Sequence, residues 1–330
     1  MRERWGIHTV CGDGGCNRGK AGKRKGYDRW GKEVRDVRGK DPMRNPASRM
    51  EKIPPYLFAR LDRKKEEMRE KGVDLIDLSV GDPDLPTPAH IVRRMQEAVQ
   101  EPASHRYPAY EGMPELRKAI CEWFLRRFGV ELDPDKEVLV LIGSKDGIAH
   151  LPWAYLEGGD VCLVPSPGYP VYSISTVLSG ATPFFMPLKE EREFLPDLDA
   201  IPLEVWRKAK ILFINYPNNP TGAHAEREFF DRVLFYAKRF DVLVAHDAAY
   251  SEVTYDGYVA PSILELDRRK AHSIEFHSLS KTYCMTGWRI GFVVGNRDAV
   301  QTLARLKTNI DSGVFQAVQW AAIEALRGDQ

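Results

Sequence analysis

The stretch HSLSKTYCMTGWRIGF (His277–Phe292) sets Lys281 behind two serines, Ser278 and Ser280, and puts Arg289 eight residues further on. A solvated surface lysine needs no such company, whereas an amine that attacks a carbonyl does. Other stretches carry comparable potential. HDAAYSEVTYDG places Asp247 after an apolar run, and a carboxylate buried there is costly unless it meets a cation. A salt bridge to an arginine would be the structural explanation, and Tyr250, three residues on, can reach the same point. In NYPNNPTGA, Asn219 could donate a side-chain N–H to a ligand oxygen, although rigid turns use the same residues. In PSPGYPVY, Tyr169 could stack on a flat ring or simply pack in the core. GSKDG (Gly143–Gly147) opens a helix, where the free N–H groups of Ser144 and Lys145 favour an anion; an ordinary strand-to-helix turn is the plainer reading.

Each of these loops follows a short apolar run. The runs are Val138–Ile142, Val161–Val164, Thr182–Met186, Ile211–Ile214, Val242–Ala245, Ser273–Phe276 and Ile290–Val294. Helical stretches lie near 145–156, 170–179, 226–239 and 297–308, and an amphipathic helix over Met113–Phe128 precedes them. Uninterrupted apolar strands separated by helices predict an α/β fold with a mainly parallel sheet covered on both faces. Ligands of such sheets sit beyond the carboxyl ends of the strands, where the polar loops would converge. Upstream, DLIDLSV (Asp74–Val80) reads as a short strand and GDPDLPTP as a loop, before a helix carrying Ile91, Met95, Ala98 and Val99.

One ligand would account for all the loops together. It has an aldehyde for Lys281 and a ring nitrogen that Asp247 keeps protonated. Its phosphate suits Arg289, Ser278 and the N–H groups of residues 144–145, and its flat face suits Tyr169. Pyridoxal 5′-phosphate has these features, with a lysine Schiff base and an acidic partner for the pyridinium as the expected protein groups.

The motifs YPAYEGMPELR, NNPTG, DAAYSEV and SLSKTYCMTGWRIGF, in that order along the chain, resemble the class I/II, fold-type I aminotransferases from about Ser48 to the C-terminus. RMEKIPPYLFARLD, LSVGDPDLPTP and GSKDGIAHLPWAYLEGGDVCLVPSPGYPVY look most like the LL-diaminopimelate branch. The resemblance implies a fold-type I large domain and a PLP-dependent transamination between an amino acid and a 2-oxo acid. The specific expectation is LL-2,6-diaminopimelate with 2-oxoglutarate, in lysine biosynthesis. It makes Lys281 the Schiff-base lysine and proton carrier, and Asp247 the pyridinium partner. Asn219 and Tyr250 would bond the ring's phenolic oxygen, Tyr169 would stack on the ring, and Ser144, Lys145, Ser278, Ser280 and Arg289 would hold the phosphate. Tyr107 would reach the phosphate of a neighbouring subunit, implying a homodimer with composite sites; Gly81, Tyr56 and Asn219 would lie on the substrate side.

Members of that family usually continue further, into a small domain that supplies an arginine for the substrate α-carboxylate. No arginine here matches it, so the expected organisation is a basic extension (1–45), an arm and part of the small domain (46–85), the large cofactor-binding domain (86–315) and the start of a truncated small domain (316–330). The rivals are another aminotransferase (aspartate, alanine or aromatic), a C–S lyase on the same scaffold, or an inactive chain that binds the cofactor without turnover. A nucleotide-binding Rossmann-like protein is disfavoured, because no G-x-G-x-x-G follows a strand.

The bulk composition fits this reading. The 330 residues are 43% hydrophobic and 29% charged, and the formal net charge is +1. That is a globular composition with no charge-based pull towards nucleic acid. No run is long enough for a membrane span and no signal-peptide core opens the chain, so a cytoplasmic location is the expectation. Five scattered cysteines read as reduced thiols rather than a disulfide frame. Residues 1–45, rich in Gly, Lys and Arg, are expected to be largely disordered. Gly14-x4-Gly19-Lys20-Ala21 imitates a phosphate loop but has Ala21 where a hydroxyl should stand. His8, Cys11 and Cys16 lack the second pair of ligands that a zinc site needs, so no metal is expected.

Overall fold

The computed structural model describes residues 46–55, 57–78 and 80–328, together with two short antiparallel strands, β1 (Gly26–Tyr27) and β2 (Glu33–Val34). The expectations placed on the rest of residues 1–45 and on Tyr56 lie outside the described residues. Residues 48–330 cluster as one compact unit, which contains everything discussed below.

Its centre is a seven-stranded sheet. The strands are β3 (Val138–Leu141), β4 (Val161–Ser166), β5 (Thr182–Pro187), β6 (Ala209–Ile214), β7 (Leu243–Asp247), β8 (Ser273–Ser278) and β9 (Gly291–Gly295), in the order β3-β9-β8-β7-β6-β4-β5. Six strands point the same way, and β9 runs against them, pairing antiparallel with both β8 and β3. Around the sheet lie α1 (Leu57–Glu70), α2 (Ala89–Gln100), α3 (Pro114–Phe128), α4 (Ser144–Tyr155), α5 (Val171–Leu178), α6 (Leu203–Trp206), α7 (Arg227–Phe240), α8 (Ile263–Leu266), α9 (Leu279–Thr282), α10 (Arg297–Lys307) and α11 (Gln316–Arg327).

The near-continuous apolar strands are explained by helices on both faces. Side chains alternate along a strand, so β3 sends Val138 and Val140 into one core and Leu139 and Leu141 into the other. The first core takes Leu116, Ile120 and Phe124 of α3 and Phe230, Val233 and Leu234 of α7. The second takes Ile148 and Leu151 of α4 and Val300 and Leu303 of α10. Proline at the first position of α3 and Gly129 just past its end (φ 66°) set that helix's limits, with the Gly129 N–H donating to the Leu125 carbonyl at 3.0 Å. The α11 helix packs on α2 and α3 and buries Ala321, Ala325 and Leu326.

The expected strand at Asp74–Val80 does not form. The described part of that stretch is extended without a partner strand, and Ile76 and Leu78 are 83% and 91% exposed. Alternation alone cannot make a strand where no neighbouring ladder accepts it.

Candidate active site

The carboxyl ends of β4, β6, β7 and β8 and the start of α4 open into a cavity of about 460 Å³. Its wall brings together Gly81, Ser144, Lys145, Tyr169, Asn219, Asp247, Tyr250, Ser278, Ser280, Lys281 and Arg289, which the sequence had singled out separately. Tyr107 is not in this wall, and the residue is 87% exposed.

Asp247 ends β7 and is 5% exposed. Among the described residues no arginine or lysine pairs with it, so the salt-bridge explanation does not apply. Instead the Tyr172 hydroxyl donates to Oδ2 at 2.7 Å, while the buried Oδ1 has no hydrogen-bond partner. Burial pushes the Asp247 carboxyl above its ordinary value, and the Tyr172 hydrogen bond works against that. A buried acceptor in a cavity wall with an empty valence is a place for a ligand N–H.

Lys281 lies in α9, the short helix that follows β8, and its Nζ donates to the Gly81 carbonyl. Burial lowers its ammonium below the ordinary lysine value, and Arg289 adds to this, while Asp82 pulls the other way. An amine so placed is more readily neutral, as a nucleophile or proton carrier must be.

Another part of the wall is the start of α4. Gly143 precedes α4 with φ 76°, and a Cβ there would come within 2.2 Å of Nη2 of Arg289. Only glycine allows that approach, so the guanidinium sits directly against the start of α4, where backbone N–H groups lack helical acceptors. Gly143, as the N-cap residue, has no side chain to cap them. Arg289 itself adopts φ 54° and donates from Nη1 to the Thr286 carbonyl at 2.9 Å. The Ser278 Oγ accepts from the Ser280 N–H at 3.2 Å, which leaves its own proton free to be donated outward.

The aromatic floor is built in steps. Tyr169 meets Tyr172 edge-on with ring centroids 5.9 Å apart, and Tyr172 stacks on Phe213 at 4.8 Å. Lys145 Nζ lies 5.7 Å from the Tyr169 ring centre. Asn215 fixes the polar loop: its Nδ2 donates to the Asp247 carbonyl and its Oδ1 accepts from the Asn219 N–H, each at 2.7 Å.

Sequence reasoning missed Tyr172, Asn215, Asp82 and Thr286. Asn215 stands in the same rigid loop as Asn219 and could have been marked there. Tyr172 stands in the first turn of α5 and Tyr169 precedes that helix, so helical spacing did not mark it.

A second group deserves separation from the cavity. Asp146, His150 and Asp311 bring ligand-type atoms within 4.8 Å of one another. The ammonium of fully buried Lys307 lies 3.5 Å from Asp146 and contacts Asp311, so a side-chain cation already compensates those carboxylates.

Among the described residues no helix is long and apolar enough to cross a membrane. Residues 73–330 match the family model described as aminotransferase class I and II. The chain is 57% identical over 284 residues to the LL-diaminopimelate aminotransferase of Syntrophobacter fumaroxidans, covering 86% of this chain and 73% of that protein. It is 56% identical to the enzyme of the same name from Desulforudis audaxviator, with 86% and 72% covered. Among solved structures, substrate-bound BacF from Bacillus subtilis superposes with a TM-score of 0.83 at 38% identity, covering 87% of this chain and 72% of that one. A probable N-succinyldiaminopimelate aminotransferase from Thermus thermophilus gives 0.79 at 39% identity, covering 83% and 74%.

Proposed function

Because this chain belongs to the class I and II aminotransferases, we propose that it moves an amino group from LL-2,6-diaminopimelate to 2-oxoglutarate with pyridoxal phosphate as cofactor. The donor is inferred from the diaminopimelate aminotransferases that it resembles at 54–57% identity. The observation that carries the chemistry is the unpartnered, buried Oδ1 of Asp247 in the same cavity wall as the Lys281 amine.

The residues fit the cofactor. Asp247 Oδ1 would accept the ring N–H. Arg289, the hydroxyls of Ser278 and Ser280, and the N–H groups of Ser144 and Lys145 would hold the phosphate in the cradle beside Gly143. Tyr169 would cover one ring face, and Asn219 and Tyr250 would hold the phenolic oxygen. When bound, pyridoxal phosphate supplies an aldehyde and a ring that takes up the electron pair left at the substrate Cα.

Lys281 acts at two points. Its Nζ would anchor the cofactor, and as a free neutral amine it would move the proton from the substrate Cα to C4′. Burial and Arg289 keep that amine low in proton affinity. Asp247 would hold its ring proton in place by remaining ionised opposite it. Gly81, Asn219 and Tyr56 would face the substrate. Tyr107 would serve a partner subunit's site, giving a homodimer.

The test is direct. Chain loaded with cofactor is given LL-diaminopimelate and 2-oxoglutarate, and glutamate is measured. Borohydride reduction followed by peptide mass mapping should put the cofactor on Lys281. Absence of glutamate with this donor, but not with other amino acids, would redirect the substrate assignment. Label on a different lysine would end the site assignment.

A further inference from the structure

Behind the cavity, on the opposite face of the sheet from the Asp247 side chain, lies a buried polar cluster that the chemistry above does not use. His246 on β7 and Glu275 on β8 are fully buried, and His277 is 4% exposed. Phe230 packs on the His246 ring at 5.1 Å, and Trp123, Phe124 and Phe292 surround His277. Burying so many polar groups is costly unless each finds a partner. Here the partners also dictate the direction of every hydrogen bond.

His246 Nε2 lies 3.1 Å from the Tyr216 carbonyl oxygen, which can only accept. His246 Nδ1 lies 3.2 Å from Oε2 of Glu275. That same Oε2 accepts from the Ile263 N–H at 3.0 Å and the Ser262 hydroxyl at 2.8 Å, and Oε1 faces His277 Nε2 at 2.7 Å. An oxygen that already receives a backbone N–H and a hydroxyl is a carboxylate oxygen, not a carboxylic O–H. Burial alone would push the Glu275 carboxyl up, but the hydrogen bonds and charges of His246 and His277 hold it well below the usual carboxylate range. Both nitrogens of His246 therefore face acceptors.

We infer that His246 donates from both ring nitrogens, as an imidazolium buried against Glu275, and is the positioning residue that ties the Asn219 loop to the strand bearing Asp247. Tyr216 begins the turn that carries Asn219, so the Nε2 bond holds this turn from behind while Asn215 holds it from the side. The neighbouring positive charge also favours the ionised form of Asp247. Tyr216, His246 and Glu275 lie on three adjacent segments, β6 with its loop, β7 and β8, so a single ring links the segments that present Asn219, Asp247 and Ser278.

The role assigned to Asn219 rests on the proposed function, but the state of the ring does not, and the two are tested apart. A long-range ¹H–¹⁵N spectrum of the ¹⁵N-labelled full chain, with His246 assigned by its loss in His246→Gln, should show both ring nitrogens in the protonated range at neutral pH. A spectrum with one unprotonated nitrogen overturns the inference; if His246→Gln folds poorly, His246→Asn supplies the same assignment. The positioning role is read from a double-mutant cycle with Asn219→Ala. We expect His246→Gln to lower kcat about tenfold when Asn219 is present and less than about twofold when it is absent, because misplacement costs rate only where there is a group to misplace. Equal losses in both backgrounds would overturn the positioning role. A chain without turnover but with an imidazolium at 246 would count against the proposed function and leave the ring assignment standing.

Discussion

The Tyr172 hydroxyl donates to one oxygen of Asp247 at 2.7 Å, and the other oxygen is buried with no partner. The pair thus leaves Asp247 half satisfied. Burial raises the Asp247 carboxyl, so its folded value lies above its unfolded one of about 3.9. A group shifted in that sense contributes stability below the unfolded value and loses it as pH rises through the folded value. Cofactor-free Asp247→Asn should therefore gain on the unsubstituted chain in urea midpoint as pH is raised from about 4 to about 8. A constant difference would contradict the assignment. With cofactor bound the order should reverse, and turnover in the variant should fall by at least about a hundredfold, since the charge opposite the ring is lost.

Tyr172→Phe tests the other half of the pair. It leaves a second carboxylate oxygen unpartnered, which costs about 1–3 kcal/mol. Denaturant unfolding of the cofactor-free chain should show that loss. It should shrink at low pH, where Asp247 is protonated and needs its acceptors filled less. A loss independent of pH would indicate a packing defect instead.

Asp82 raises the Lys281 ammonium, whereas burial and Arg289 lower it. Asp82→Asn should therefore leave more neutral amine at any given pH. The rate at which cofactor-free chain captures pyridoxal phosphate, followed by absorbance, should reach its midpoint at a lower pH in the variant. A midpoint that stays in place or moves up would show that Asp82 does not act on the amine.

Much of this site was legible beforehand because its side chains sit in loops directly after apolar runs, and a parallel sheet brings such loops to one edge. Lys281, Asp247 and Asn219 could be marked from that rule alone. Tyr172 could not, since its partner is 75 positions away and the bond exists only once α5 lies against β7. His246 and Glu275 were hidden differently: a polar residue inside an apolar strand looks like noise until the neighbouring strand's register supplies its partner. The reverse error occurred at Asp74–Val80, where alternation was present but no neighbouring strand was.

Gly143→Ala separates phosphate recognition from the rest of the site. A methyl group there would meet the Arg289 guanidinium at 2.2 Å, at a φ of 76° that also disfavours alanine. Arg289 must move, and the anion cradle opens. Pyridoxal phosphate should bind at least about tenfold more weakly, as expected when a charge-assisted pair is lost. Pyridoxal, which lacks the phosphate, should bind almost as it does to the unsubstituted chain. Equal weakening of both ligands would mean that the substitution damages the whole cavity.

Lys307 offers a test of what positions the cradle from below. Its buried ammonium lies against Asp146 and Asp311, and Asp146 accepts the Ile142 N–H at 3.0 Å, just before Gly143. Lys307→Met preserves length but leaves two carboxylates without their lysine cation, and breaking a buried pair from one side costs about 3–5 kcal/mol. Denaturant unfolding should register a loss of that size. Lys307→Met combined with Asp146→Asn should recover part of it, because one of those two charges is then gone. If the double variant is no more stable than the single one, the charge pairing is not what Lys307 contributes.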